Sequence, residues 1–402
     1  MELKPGYRKT EIGVIPDDWD LKPISSIARV VSGKRLPLGS SLTDYPTPFP
    51  YIRVTDMKYG TILLSNIKYV PGDVYPSIRQ YRIFRDDIFI SVAGTLGIVG
   101  RVPEELDGAN LTENANRITE ISCSIDFLLY VLKSPLIQNA IDSIRTVGAQ
   151  PKLALGRIRK FIIPLPQSKA EQCAIAKALS DTDALLGSLD RLIAKKRNIK
   201  QAVMQQLLTG KTRLPKFEKK WNSAYLPEVL LIRKGEPMTS SRLQQGNVPV
   251  IAGGKNPAYF HDTANRFGQC VTISASGANA GFVGFYEAPI FASDCSTIES
   301  SDYISAKFAY YKLKLRQAEL YSLQSGGAQP HVQPNDLARL MISFPDRNEQ
   351  NAIVSVLSDM DAEIAAIKAR REKTRNLKQA MMQELLTGKT RLIKADTKQE
   401  AG

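Results

Sequence analysis

Residues 171–214 and 349–392 align without a gap and are identical at 25 of 44 positions. Both copies end on the octapeptide LLTGKTRL, at 207–214 and 385–392. Fainter echoes extend the repeat upstream. GAQP occurs at 148–151 and 327–330, Trp19 stands 14 residues before Gly33 as Trp221 does before Gly235, and GTLGIVG at 94–100 resembles GANAGFVG at 277–284. The chain therefore repeats a unit of about 180 residues, and most constraints on its fold apply twice. The end of the unit is nearly copied while its beginning has diverged. A partner bound twice in one way would hold a surface alike, and two different targets would let another surface change.

The copied segments read as one long helix each. Ser168-x-x-Glu171 and Asp346-x-x-Glu349 follow Pro166 and Pro345 as capping boxes, and Gly210 and Gly388 mark the ends. The apolar stripe of the first runs through Ile175, Ala178, Leu185, Leu189, Leu192, Ile199 and Val203. That of the second runs through Ile353, Val356, Met360, Ile364, Ile367, Leu377 and Met381. Thr182, Lys196, Arg370 and Thr374 interrupt a strict heptad. Helices of about 40 residues reach ~60 Å at 1.5 Å per residue, so they project beyond a small domain. Two such helices in one chain are expected to pack as an antiparallel pair.

The diverged segments read as α+β with short strands, such as FPYIRVTDM, DDIFISVAG and QCVTISASG, and with apolar-striped helices at 125–141 and 305–323. Polar and basic groups cluster between strands. In the first half these are Lys34, Arg35, Arg79, Tyr81, Arg82, Asn114, Asn116 and Arg117; in the second, Arg242, Gln244, Gln245, Lys255, Asn256, Asn265 and Arg266. Arg, Lys, Asn and Gln can pair with base edges. Solvated turns share that composition.

The charge balance points the same way. Lys and Arg total 54 against 40 Asp and Glu, a net of +14, which favours a polyanionic partner. Residues 191–220 hold ten basic side chains against Glu218, and 368–394 hold nine against two. Catalytic signatures do not emerge. GKT lacks the upstream glycine of a phosphate loop, with Gln205 and Gln383 in its place. Four scattered cysteines and two histidines offer no metal-ligand spacing and suit a reduced cytoplasm. NPAYF at 256–260 resembles the base-holding loop of amino-methyltransferases, but its second proline and a cofactor strand are missing. No apolar run approaches the ~18 residues of a membrane span.

Taken together, GYRKTEIGVIPDDWDLKPI, IIPLPQSKAEQCAIAKALSDTDALL and the doubled LKQAMMQELLTGKTRL type of ending resemble the specificity subunits of Type I restriction-modification systems over essentially the whole chain. The resemblance implies two target-recognition domains, at 1–166 and 215–345, separated by two long antiparallel helices at 167–214 and 346–394, with a disordered tail at 395–402. It implies that each domain reads half of a bipartite DNA target. The helices would set the gap and dock two methyltransferase subunits, to which restriction-translocase subunits are added. It implies no cofactor in this chain, with S-adenosylmethionine, ATP and Mg in the partner subunits. The alternative from the residues alone is a fused methyltransferase or nuclease with an unrecognised catalytic motif.

Overall fold

The computed structural model describes residues 5–145, 151–239 and 244–393. Arg242, residues 148–150 of the first GAQP and the 395–402 tail lie outside them. The chain forms two units, Met1–Ser188 with Arg371–Gly402, and Leu189–Arg370. Each contains one strand-rich domain, the first half of the helix after it and the second half of the other long helix.

The two domains share one topology. In the first unit a four-stranded antiparallel sheet runs in the order Val99–Arg101, Ile88–Ser91, Ala115–Thr119, Arg29–Ser32. In the second the order is Val283–Tyr286, Cys270–Ser274, Cys295–Glu299, Ile232–Lys234. A smaller sheet accompanies each, with one parallel pairing: Pro50–Ile52 on Ala109–Leu111, and Val248–Ile251 on Phe291–Ala292. The chain crosses between the sheets at a glycine. A Cβ on Gly33 would stand 2.1 Å from the Thr112 carbonyl oxygen, and one on Gly235 2.0 Å from that of Ser293. No other residue fits that approach, which explains why both units carry a glycine at this position.

Lys169–Leu207 and Arg347–Leu385 are single helices of 39 residues each. Their cap side chains work as expected, since the Glu171 N–H donates to Ser168 Oγ (3.4 Å) and that of Glu349 to Asp346 Oδ1 (3.1 Å). The reciprocal half of the capping box is absent, because both glutamates bond elsewhere. The next residue ties helix to domain. Gln172 accepts the Ser124 N–H (2.8 Å) and donates to the Pro166 carbonyl (2.8 Å), while Gln350 accepts that of Ser305 (3.0 Å) and donates to Pro345 (2.9 Å). Ser124 and Ser305 in turn cap the domain helices Ile125–Lys133 and Ala306–Leu315.

The seam of each long helix differs from the expected stripe. It runs in alternating steps of four and three: Ile175, Leu179, Thr182, Leu186, Leu189, Ile193, Lys196, Lys200, Val203, Leu207, all buried or half-buried. The second helix repeats it 178 positions on, from Ile353 and Leu357 through Met360, Ile364, Ile367, Arg371, Thr374, Lys378 and Met381 to Leu385. Ile175, Leu189, Val203, Ile353, Met360, Ile364, Ile367 and Met381 thus lie where the stripe placed them. Leu185, Leu192, Ile199 and Leu377 do not; they are exposed, Leu377 by 57%. Each stands one position before the true seam residue: Leu186 and Ile193 after Leu185 and Leu192, and the lysines Lys200 and Lys378 after Ile199 and Leu377.

Within each unit the helical halves run antiparallel. In the second, Lys196 pairs with Glu363 (2.6 Å) and Lys200 with Asp361 (2.5 Å). In the first, Thr182 Oγ1 lies 3.6 Å from Met381 Sδ and Lys378 pairs with Asp183 (2.6 Å). Each Lys–Asp pair also engages a domain tyrosine. Tyr130 donates to Asp183 (3.0 Å) and Tyr311 to Asp361 (2.8 Å), and burial first, then the neighbouring carboxylate, pushes both phenols up. Each Lys Nζ also sits over the ring of its tyrosine, at 5.7 and 5.0 Å.

One seam neighbour breaks the symmetry. Lys312, 6% exposed, donates to the Leu208 carbonyl and to Ser343 Oγ (2.9 Å) and lies over Trp221, where the first unit has Val131 beside Tyr130. Burial, and secondarily Arg316, pushes its ammonium down to about 8. Between that value and the ordinary lysine range the unfolded chain binds a proton that the folded chain does not, so stability rises with pH across that window. Below about 8 the penalty is complete, on the order of 3 kcal/mol. Lys312→Met removes it but strands two acceptors, at about 1–2 kcal/mol. The variant is expected to be more stable than the parent at pH 7 and to lose that advantage towards pH 10.5. Urea denaturation of both proteins at the two pH values checks this; a pH-independent difference would contradict it.

Candidate nucleic-acid interface

In the first unit the backbone of the crossing loop gathers the expected basic residues. The Lys34 N–H donates to the Leu111 carbonyl (2.8 Å), and its own carbonyl accepts the Tyr51 hydroxyl (2.8 Å), whose burial pushes that phenol up to about 12. The Leu111 N–H donates to the Tyr81 carbonyl (3.0 Å), which brings the 79–82 segment alongside. Lys34 Nζ then lies 5.9 Å from the Tyr81 ring centre, and Arg35 reaches Glu113 at 3.3 Å. Arg82 and Arg117 stand 5.3 and 6.0 Å from the Phe84 ring. Lys34, Arg35, Arg79 and Arg82 are exposed, while Tyr81, Asn114 and Arg117 are half-buried. Asn116 is 2% exposed inside the central sheet and cannot meet an external ligand. Its alternation along the strand, not its polarity, decided where it points. Arg117 is held by Asp87 (3.5 Å) and the Arg82 carbonyl.

The second unit presents fewer of the expected residues. Gln244, Gln245, Lys255 and Asn256 are exposed, and Lys255 lies 5.9 Å from the Phe282 ring centre. Asn265 and Arg266 are drawn into the framework instead. Asn265 exchanges two hydrogen bonds with the Ala292 backbone (3.0 and 2.7 Å), as a strand neighbour would. Arg266, 7% exposed, donates to Thr297 Oγ1 (2.8 Å) and to the Asn265 and Lys234 carbonyls (2.7 and 3.0 Å). A guanidinium can leave water when carbonyls and hydroxyls take its donors. The hydrogen bonds of these two residues are thus spent within the fold, with Arg266 buried and Asn265 half-buried.

A second constellation occurs once in each unit and accounts for the repeated octapeptide. Arg213 forks onto Glu349 (Nε–Oε1 2.6 Å, Nη2–Oε2 2.5 Å), and the Trp221 indole donates to the same carboxylate (3.3 Å). Arg391 forks onto Glu171 and onto Asp18, and the Trp19 indole donates to Glu171 (3.3 Å). Both glutamates are 2% exposed. Gly210 and Gly388 turn at φ of +72° and +70° against these tryptophans. The arginine of LLTGKTRL thus closes the end of one long helix onto the start of the other and onto the first strand region of a domain. Hydrogen bonding to Glu349 raises the Arg213 guanidinium further above its ordinary range, so the arginine stays charged at any ordinary pH.

The basic runs are accordingly divided in purpose. Lys196, Lys200, Lys378, Arg213 and Arg391 are committed to carboxylates within the fold. Arg191, Lys195 and Arg197 face outward.

A family model described as the Type I restriction modification DNA specificity domain matches residues 16–197 and again 218–375. A putative type I restriction enzyme MjaX specificity subunit from Methanocaldococcus jannaschii is 25% identical over 422 residues, covering 96% of this chain and 97% of its own. The type I restriction enzyme EcoBI specificity subunit from Escherichia coli is 22% identical over 203 residues, 49% of this chain and 42% of its own. Among solved structures, a Type I restriction-modification S subunit from M. genitalium superposes with a TM-score of 0.63 at 18% identity, covering 96% of this chain and 98% of its own. A chain from a study of complex assembly and conformational transition in the type I R-M system gives 0.61 at 19% identity, covering 94% and 99%.

Proposed function

Because this chain belongs to the Type I restriction modification DNA specificity family, we propose that its two units each read one half of a bipartite duplex target. The observation that carries this reading is one framework bearing different readers. The strand orders agree, yet beyond the crossing glycine the first unit places Lys34-Arg35 where the second places Glu236-Pro237. Direct readout depends on such side chains, so two unlike sets on one frame suit two unlike half-sites. The parts that do not differ, the long helices and their Arg–Glu–Trp closures, suit two like partners. These are two methyltransferase subunits, docked in the same way on each repeat, with the helices setting the gap. Restriction-translocase subunits join through that complex. S-adenosylmethionine, ATP and Mg belong to those partner chains, and the complex works in the cytoplasm. Among the described residues no helix is long and apolar enough to cross a membrane.

Exchanging residues 215–345 for the matching segment of a relative is expected to change one half of the methylated sequence and leave the other intact. Methylome sequencing of cells carrying the exchanged complex reads this directly. A change in both halves would remove the basis for two independent readers.

A further inference from the structure

The inner strand of each central sheet is preceded by a turn carrying an exposed phenylalanine. RIFRDDIFIS at 82–91 overlies NRFGQCVTIS at 265–274 without a gap, as the equivalent bonds of Ser91 to Ile98 and Ser274 to Phe282 require. Only three of the ten positions are identical. Two of them, Ile90 with Ile273 and Ser91 with Ser274, are buried in the sheets. The third pair is Phe84 and Phe267, exposed by 37% and 71%. One exposed apolar side chain carries no message. The same ring kept outside the core, in two units whose neighbouring residues have changed, calls for a shared use.

The turn that carries each ring is also fixed by hydrogen bonds. The Phe84 N–H donates to Asp87 Oδ2 (2.9 Å), the Asp87 N–H returns to the Phe84 carbonyl (2.9 Å), and Arg85 N–H is taken by Asp107 (2.8 Å). Phe267 comes directly after Asn265 and Arg266, whose hydrogen bonds to Ala292 and Thr297 fix the turn from the framework side. Two guanidinium groups also stand at the Phe84 ring, Arg82 at 5.3 Å and Arg117 at 6.0 Å from its centre, the latter paired with Asp87. An exposed ring on a fixed turn, with guanidinium groups beside it at Phe84, suits a polyanion with flat apolar faces.

We infer that Phe84 and Phe267 are the aromatic anchors of the two units on duplex DNA, each pressed against a base step of its own half-site. The inference rests on the recognition reading above and adds the residue and the mode of contact. Apolar side chains used this way part-unstack a step and let the flanking cations close on phosphates. Stacking on a base by one aromatic ring corresponds to about 5- to 150-fold in affinity.

The test uses the full chain assembled with two methyltransferase subunits. The probe is a duplex carrying the motif found by methylome sequencing, with 2-aminopurine placed at successive steps. The parent complex is expected to brighten the probe at one step in each half-site. Phe84→Ala should abolish the signal in one half and Phe267→Ala in the other, each weakening binding by about 5- to 150-fold, while Phe→Tyr retains both. Unchanged affinity and fluorescence in the alanine variants would overturn the inference. So would loss of subunit assembly with DNA contact intact, which would make the rings protein contacts. Failure of the parent complex to bind the duplex at all would instead strike the recognition reading itself.

Discussion

Arg213→Ala is expected to destabilise the second unit by about 3–5 kcal/mol, because it leaves a buried carboxylate without its counter-charge. Glu349 is 2% exposed and receives both prongs of the guanidinium. Only the Trp221 indole N–H, at 3.3 Å, would remain to it. Adding Glu349→Gln should recover most of the loss, since the amide keeps the indole bond without a charge to bury. Arg213→Lys should recover less, as an ammonium cannot supply the two parallel bonds. For contrast, Lys177→Ala breaks an exposed pair with Asp181 and should cost under about 1 kcal/mol. The chain has two tryptophans, and one sits in each closure. In a Trp19→Phe background, fluorescence during urea unfolding therefore reports on Trp221 alone. A loss below about 1 kcal/mol for Arg213→Ala would mean that water, not the guanidinium, balances Glu349.

Much of this architecture could be read from the residues, and the reason is physical. Long helices announce themselves through caps, period and a terminal glycine, all local properties. The repeat then doubles each signal, so that the equal spacing of Gly33 and Gly235 from Trp19 and Trp221 marked equivalent positions in the two units. The seam was legible in period but in phase only in part, lost at Leu185, Leu192, Ile199 and Leu377. A lysine at a seam position looks polar in isolation; Lys200 and Lys378 are tolerated there because Asp361 and Asp183 face them from a segment more than 150 residues away. Both helices bury the same 178-shifted positions.

Site residues were less legible, because composition does not say which way a side chain turns. Lys34, Arg35, Arg79 and Arg82 lie exposed near one another through backbone pairings that no local pattern encodes. Asn116 and Arg266 carry equally suitable chemistry and point inward. The Arg–Glu–Trp closures were missed altogether. Glu171 and Glu349 read as the second half of a capping box, and that local role was lost to distant partners, Arg391 and Arg213, offering a forked charge-assisted bond.

The long helices should act as a ruler, and the second large effect is all-or-none. Repeating QQLL ahead of Thr209 adds one turn, about 6 Å and only about 40° of rotation. The added leucines fall on the face that Leu207 and Leu208 present to the core of the second unit, so the attachment is recreated one turn farther on. One added base pair shifts a half-site by ~3.4 Å and turns it by ~34–36°. The rotations nearly agree, and an inclined helix pair can absorb the difference in length. The four-residue variant is therefore expected to methylate a target whose gap is one base pair longer, with both half-sites unchanged. Glu171 to Arg213 and Glu349 to Arg391 each span 42 residues. A matching insertion ahead of Thr387 should keep the longer gap and relieve the mismatch between the helices. Two added residues instead rotate the downstream chain by about 200° and put polar side chains where the core needs leucine, so that variant should be inactive. Methylome sequencing of all three decides the matter: an unchanged gap in the four-residue variant would show that these helices do not set the spacing.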